Sequence, residues 1–427
     1  MAAILVIVFV LAYAAIALEG PLRIDKSASA LIGAGLLWTV YALAGPGGAQ
    51  LDEQLGASLI DIAQIAFFLM GAMTIVEVID THDGFEVIAG RVRANSLGVL
   101  AWTIAVLSFF LSAVLDNLTT AIVMISLSRK LVADRSDRLL IAGLIVIAAN
   151  AGGAWSPIGD VTTTLLWIGG RVTSLAIIKA VFLPALANLL VPLTIVGWSL
   201  RGRPVAVPGA SARGGTPDTT PFERNLMLGL GLAGLLAVPA FKAATHLPPF
   251  LGILLALGIL WGVGDLVHRG ADAQRREQVG IAQALTRIDM SAVVFFIGIL
   301  LAVAALEHAH VLTALARWLD AQIGRLDVIV GAIGLVSAIV DNVPMVAAAM
   351  GMYDTATHPP DSFLWEFMAY CAGTGGSILI IGSAAGVAAM GVEKIDFLWY
   401  ARRFGPLALA GYAAGAIVYI IQFPLLH

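Results

Sequence analysis

Ser112-Ala113-Val114-Leu115-Asp116-Asn117 and Ser337-Ala338-Ile339-Val340-Asp341-Asn342 write one pattern, S-A-x-x-D-N, twice in a chain of 427 residues. Each copy lies inside a strongly apolar stretch and ends in Asp-Asn. An ionised carboxylate near the centre of a bilayer costs at least about 2.5 kcal/mol, so such a residue is paired, protonated or holding a cation. The doubled pattern predicts an internally duplicated membrane protein with acidic residues at depth.

The composition points the same way. The chain is 59% hydrophobic and 12% charged, where soluble domains carry about a quarter charged residues. At roughly 20 apolar residues per spanning helix, the length supplies about ten to twelve membrane elements. A net charge of -4 gives no reason to expect nucleic acid as a partner. The single cysteine, Cys371, excludes an intrachain disulfide and a thiolate metal cluster. The apolar run from Ala2 to Leu18 lacks a basic flank and a clean cleavage site, so it reads as a first retained helix.

Apolar runs predict helices near 2–18, 28–44, 59–79, 97–131, 138–170 and 174–200, then near 226–241, 247–265, 290–307, 325–353, 362–391 and 404–424. Four of these, 97–131, 138–170, 325–353 and 362–391, are too long or too polar in the middle to be plain spans and are read as interrupted. A segment rich in Gly, Pro, Ser and Thr separates the sets. The expected organisation is a first repeat over 1–200, a cytoplasmic linker over 201–222 and a second repeat over 223–427.

Backbone outside a helix survives at membrane depth only when buried in protein or lining a wet cavity. Asp116 to Arg129 spans roughly 20 Å of helix, as does Asp341 to Asp354, which suits a re-entrant helical hairpin with Asp-Asn at its tip. Ala151-Gly152-Gly153 and Ala372-Gly373-Thr374-Gly375-Gly376 are read as unwound segments near the midplane. With the hairpins discounted, each half makes five crossings, so the second half runs inverted. The predicted fold is therefore an all-α polytopic membrane protein of two inverted-topology repeats, each with a re-entrant hairpin and a broken transmembrane helix. That topology places 19 of the 24 Lys and Arg on one side, which is then cytoplasmic, with both termini outside. Two weaker matches extend the repeat. Ile60-Asp61 with Phe67-Phe68 recurs as Ile288-Asp289 with Phe295-Phe296, and Gly152-Gly153 with Gly159 recurs as Gly375-Gly376 with Gly382.

The candidate chemistry gathers at the tips and breaks. Asp116, Asn117, Thr119 and Thr120 stand at the first tip, and Ser337, Asp341 and Asn342 at the second. Asn150, Ser156, Asp160, Thr162 and Thr163 surround the first broken helix, with Thr374, Ser377 and Ser383 in the second. Helix capping is the competing explanation for the Asp-Asn pairs, and bonding to the helix's own carbonyls is the one for the hydroxyls. Oxygen-only ligands suit a hard cation such as Na+ or Li+, with Asp116, Asn117, Asn150 and Asp160 as its expected ligands. Glu77 and Asp80, at the cytoplasmic end of the third helix, are either a solvated helix end or a proton-entry or pH-sensing position. No Arg or Lys is expected near the midplane between the tips. No GxxxxGK[ST] phosphate loop is present, which leaves an ion gradient as the energy source.

At these residues the chain resembles the ion transporter superfamily, and within it the NhaD-type Na+/H+ antiporters. The resemblance rests on Thr74-Ile75-Val76-Glu77-Val78-Ile79-Asp80, Leu115-Asp116-Asn117-Leu118-Thr119-Thr120, residues 150–163 and residues 337–344, and it spans almost the whole chain. Dicarboxylate carriers of the superfamily have Ser-Asn-Thr at the tips, whereas here Asp replaces Ser in both halves, as in the antiporters. The resemblance implies a homodimer in the inner membrane, with a scaffold and an elevator-like transport domain. One departure is that Pro344 stands where Thr119 stands in the first half.

The reading that follows is a secondary antiporter, not an enzyme, with no cofactor. It exchanges cytoplasmic Na+ or Li+ for external H+ at one shared carboxylate site, with small cations, protons and membrane lipid as its partners. The alternatives are an anion, dicarboxylate or arsenite permease of the same superfamily, an intramembrane aspartyl protease, and a passive channel. The protease is disfavoured because its Tyr-Asp and Gly-x-Gly-Asp contexts are absent.

Overall fold

The computed structural model describes residues 1–44, 48–89, 92, 94–205, 219–270, 272, 275, 279–339 and 341–426. The middle of the expected linker (206–218), Arg91, Arg93, Val340 of the second motif and His427 lie outside the described residues. Among the described residues the regular structure is helical throughout, and nine helices are long and apolar enough to cross a membrane. The protein is a multi-pass membrane protein.

The first half contains α1 (Ala2–Ala17), α2 (Lys26–Ala44), α3 (Gly48–Thr81), α4 (Leu97–Leu115), α5 (Asn117–Leu131), α6 (Arg135–Ala154), α7 (Val161–Ile168) and α8 (Ser174–Ser199). The second contains α9 (Pro221–Thr245), α10 (Pro249–Val267), α11 (Met290–His308), α12 (Val311–Ile323), α13 (Leu326–Val336), α14 (Asn342–Met352), α15 (Phe363–Gly375), α16 (Ala384–Glu393), α17 (Phe397–Arg403) and α18 (Gly405–Leu426). Packing sorts them into two bundles. α1, α2, α3, α9, α10 and α11 pack on one another, and α4 to α8 pack with α13 to α18. The bundles meet chiefly where α11 lies against α14, with α12 between them.

The second bundle is built around α6. Residues 141–154 are small or apolar except Asn150, so no face of the helix is suited to lipid alone, and every one of them is buried. Asp134 starts this helix by accepting the Asp137 amide at 3.0 Å.

The same contacts recur in both halves of this bundle. Ser112 Oγ donates to the Ala149 carbonyl at 2.6 Å and Ser337 Oγ to the Ala372 carbonyl at 3.4 Å. A Cβ on Gly152 would collide with the Phe109 carbonyl oxygen, and one on Gly375 with that of Gly334. On Gly153 or Gly376 it would lie 2.5 Å from the carbonyl oxygen of Gly159 or Gly382. These glycines mark where backbones touch.

That role corrects the reading of the glycine clusters as unwound. Helix α6 runs through Gly152-Gly153 to Ala154, and α15 runs to Gly375; the breaks fall later, over 155–160 and 376–383. A glycine weakens a helix by only about 1 kcal/mol, which close packing offsets, whereas Pro157 inside the break cannot continue the hydrogen-bond ladder.

Two further differences are local. Helix α3 starts at Gly48 rather than near residue 59 and is 34 residues, roughly 51 Å, long. Polarity at Asp52 and Glu53 reports exit from the apolar layer, not the end of a helix. Asp61 therefore lies well inside α3, while Asp289 caps α11 through the Ala292 amide at 3.0 Å, so that short sequence match does not join equivalent positions.

Candidate cation site

Four helices begin at the middle of the second bundle, and each starts with a polar cap. Asp116 caps α5, accepting the Thr119 amide at 2.7 Å and the Thr119 hydroxyl at 3.0 Å. Asp160 caps α7 through the Thr162 amide at 3.0 Å. Asp341 caps α14 through the Val343 amide at 3.5 Å, and Ser383 caps α16 through the Gly386 amide at 3.2 Å. Asp116 stands at φ 108°, ψ 161°, a conformation that L residues rarely adopt. One strained residue separates α4 from α5, and the hydrogen bonds to Thr119 hold it there.

A continuous polar network joins these starts. Asn117 Nδ2 donates to Asn150 Oδ1 at 3.0 Å and to Asp160 Oδ2 at 3.1 Å. Asn150 Nδ2 crosses to the other half, reaching Ser377 Oγ at 3.0 Å and Ser383 Oγ at 2.8 Å. Asn342 Nδ2 points to Asp160 Oδ2 at 3.5 Å. Asp160 is 1% exposed and takes side-chain amide donors from both tips. Its contacts are neutral donors, so among the described residues no basic side chain hydrogen-bonds to it.

The remaining predicted residues divide. The hydroxyl oxygen of Thr120 is buried without a formed hydrogen bond, which leaves it as an oxygen donor at the start of α5; Thr162, whose amide Asp160 accepts, is buried beside that carboxylate. Ser156 Oγ donates to the Ala113 carbonyl at 2.5 Å, Thr163 Oγ1 to Ala154 at 3.2 Å, and Thr374 Oγ1 to Tyr370 at 2.6 Å. Ser337 Oγ also donates to Gly334 at 2.7 Å. These four hydroxyls are occupied in packing. Glu77 and Asp80 take no part in the network: Glu77 Oε1 lies 3.7 Å from Arg287 Nη1, and Asp80 is exposed.

One participant escapes the sequence reading of the site. Lys26, expected on a basic rim away from the tips, places Nζ 3.2 Å from Asp341 Oδ2. Lys26 arrives there because α2 starts level with α11, where Ser27 Oγ donates to the Ser291 carbonyl at 2.8 Å. The only sequence signal is that Lys26 opens an apolar helix.

A cleft of about 420 Å³ runs between the two bundles. Asp61 and Glu307 line it from the first bundle, and Leu165, Arg171 and Ala347 from the second. Leu165 is three residues beyond Thr162 on α7, and Ala347 is five beyond Asn342 on α14, so the cleft reaches within about two turns of the network. Among the described residues, no three His, Cys, Asp or Glu gather as a metal site.

A family model described as "Citrate transporter" matches residues 13–373. The chain is 46% identical to "Sodium/proton antiporter 1" of Arabidopsis thaliana over 97% of this chain and 71% of that protein. It is 44% identical to "Sodium/proton antiporter 2" of the same plant, over 98% and 100%. With "Na(+)/H(+) antiporter NhaD" of Vibrio cholerae it shares 29% identity over 97% of this chain and 90% of the other.

Proposed function

The chain belongs to the NhaD-type sodium/proton antiporters, within the family described as citrate transporters, and from that membership we propose that the network around Asp160 is where it exchanges Na+ or Li+ for H+. One observation carries the assignment to these residues. Asp160 is wholly buried, receives side-chain amides from both tips, and has no basic hydrogen-bond partner among the described residues. A buried carboxylate needs compensation, and a proton or a hard cation each supplies it. Asp116, Asn117, Asn150 and the Thr120 and Thr162 hydroxyls add oxygen ligands.

Competition for one set of carboxylates couples the two fluxes. Alkaline pH on the cytoplasmic side removes the proton and favours Na+; acid outside restores the proton and expels it. The helix starts also bear on the dicarboxylate alternative. Backbone amides at helix N-termini bind anions readily, but here Asp116, Asp160 and Asp341 already accept those amides. An anionic substrate would have to displace three carboxylates.

The wider reading follows the same line. Recurrence of contacts at nearly constant spacing supports two inverted repeats over 1–200 and 223–427, with re-entrant hairpins at Asp116 and Asp341 and a linker over 201–222. The separation into two bundles supports an elevator in which the α6 bundle moves against the α3 bundle, with the cleft as an ion path. We place the protein in the inner membrane as a homodimer with both termini outside, and Glu77 and Asp80 at proton entry.

The test is proton release from everted vesicles, followed with a pH-sensitive dye, on adding Na+, Li+, K+ and citrate in turn at neutral and alkaline pH. Asp160→Asn, Asp116→Asn and Asp341→Asn are expected to abolish release by Na+ and Li+. Full Na+-dependent release in all three would end the shared-site proposal, and citrate uptake without Na+-driven release would favour the permease.

A further inference from the structure

Adjacent residues at the second tip face opposite ways. Asn342 turns inward to Asp160, while Asp341 turns to the first bundle and meets Lys26 at 3.2 Å. The pair is largely enclosed, with side-chain exposures of 28% for Lys26 and 15% for Asp341. The Lys26 ammonium also sits 4.5 Å from the centre of the Phe295 ring, on α11. A cation is therefore held at Asp341 by a carboxylate and an aromatic face, and it belongs to the other bundle.

The neighbouring acids hold other hydrogen-bond partners. Asp25 accepts the Ser27 amide at 2.7 Å and the Ser291 hydroxyl at 3.2 Å, and Asp289 caps α11. Glu19 accepts the Lys26 backbone amide at 3.3 Å rather than its ammonium. Asp341 is thus the acid that Lys26 Nζ engages, and Lys26 bridges the bundles at the carboxylate the exchange requires.

We propose that Lys26 is a tethered competitor for the cation seat at Asp341. In the arrangement seen here its ammonium stands where a sodium ion would stand beside that carboxylate. Asp160 and Asp116 are left as the open seat, and an incoming ion engages Asp341 only after displacing Lys26. This rests on the shared-site reading above. It adds a residue that sets apparent cation affinity without touching the ion itself. A second inter-bundle lysine provides the contrast: Lys242, on α9, donates to the Trp167 carbonyl at 2.6 Å, where there is no carboxylate for a cation to share.

The experiment measures KM and kcat for Na+ in proteoliposomes with an imposed pH gradient, at fixed pH. Lys26→Met keeps the apolar stem against Phe295 and removes the charge. Its Na+ KM is expected to fall on the order of tenfold, the size of a modest close charge-pair coupling. Lys26→Arg is expected to restore the parental KM, and Lys242→Met to leave it unchanged. Adding Asp341→Asn to Lys26→Met is expected to erase the gain in Na+ affinity, read as Na+-dependent thermal stabilisation of the purified protein so that lost transport does not hide it. An unchanged or raised KM in Lys26→Met, with Asp341→Asn still inactive, overturns the competitor role and leaves the shared site standing. Parental exchange by Asp341→Asn would overturn the competitor role and remove Asp341 from the shared site, which then stands or falls with Asp160 and Asp116. If Lys26→Met does not fold, the Na+ KM of Lys26→Gln decides by the same criterion.

Discussion

Asn150 is the residue whose loss most directly tests the site as a joint between the two halves. Its side chain makes three hydrogen bonds, accepting one from Asn117 at 3.0 Å and donating to Ser377 at 3.0 Å and Ser383 at 2.8 Å. Net contributions of about 0.5–1.5 kcal/mol each would sum to roughly 1.5–4.5 kcal/mol. Two partners keep other bonds after truncation: Asn117 still donates to Asp160, and Ser383 still accepts the Gly386 amide. The expected cost of Asn150→Ala is therefore in the lower half, about 2–3 kcal/mol. In a chain this long that is a fall of a few degrees in melting temperature. Exchange should suffer more than stability, because freeing the Asn117 amide lets Asp160 leave its fixed orientation. Asn150→Asp is the informative contrast. The Ser377 and Ser383 hydroxyls can donate to the new carboxylate, so stability recovers in part, while the added negative charge raises the Na+ KM less than alanine does or lowers it. Detergent-solubilised melting curves and vesicle Na+ titrations on the same preparations give both quantities. A melting temperature and Na+ KM equal to the parent in Asn150→Ala would refute the reasoning. A loss of stability with unchanged KM would reduce Asn150 to a packing role.

Gly152→Ala and Gly375→Ala should each destabilise by about 1–3 kcal/mol, because the added methyl meets the backbone oxygen of Phe109 or Gly334 rather than a side chain that can move; equal losses in melting curves would show that the two contacts are equivalent. Gly258→Ala, where nothing lies within 4 Å of the added methyl, should not lower the melting temperature. Glu393→Ala should destabilise more than Arg129→Ala, since Glu393 is 3% exposed and its carboxylate meets both Arg129, at 3.0 Å, and Arg138, at 3.4 Å. Its removal leaves the mostly buried Arg138 guanidinium without its acid, and double-mutant melting curves would measure the coupling. Thr120→Val should raise the Na+ KM with little change in stability, because its buried hydroxyl has no hydrogen bond to lose; a large fall in melting temperature instead would show that the hydroxyl is structural.

Much of this protein was legible before any coordinates. Apolar composition and run length require membrane helices, since lipid leaves backbone amides no other partner. A buried acid beside an asparagine, repeated once, marks a polar centre, and Asn117, Asn150, Asp160, Asn342 and Ser377 do meet there. These inferences are local: hydropathy and chemical cost attach to the residue itself. The structure departs from the sequence pattern where a neighbour decides. Gly152 and Gly375 stay helical because another backbone presses on them, and α3 continues through a charged stretch because polarity marks depth rather than helix ends. Lys26 looked like one more basic residue on a rim. Only the packing of α2 beside α11, and of α14 against α11, brings its ammonium to Asp341 across 315 residues of chain. A one-dimensional pattern carries what each residue costs to bury, but which opposite charge meets that cost is set by how the bundles are put together.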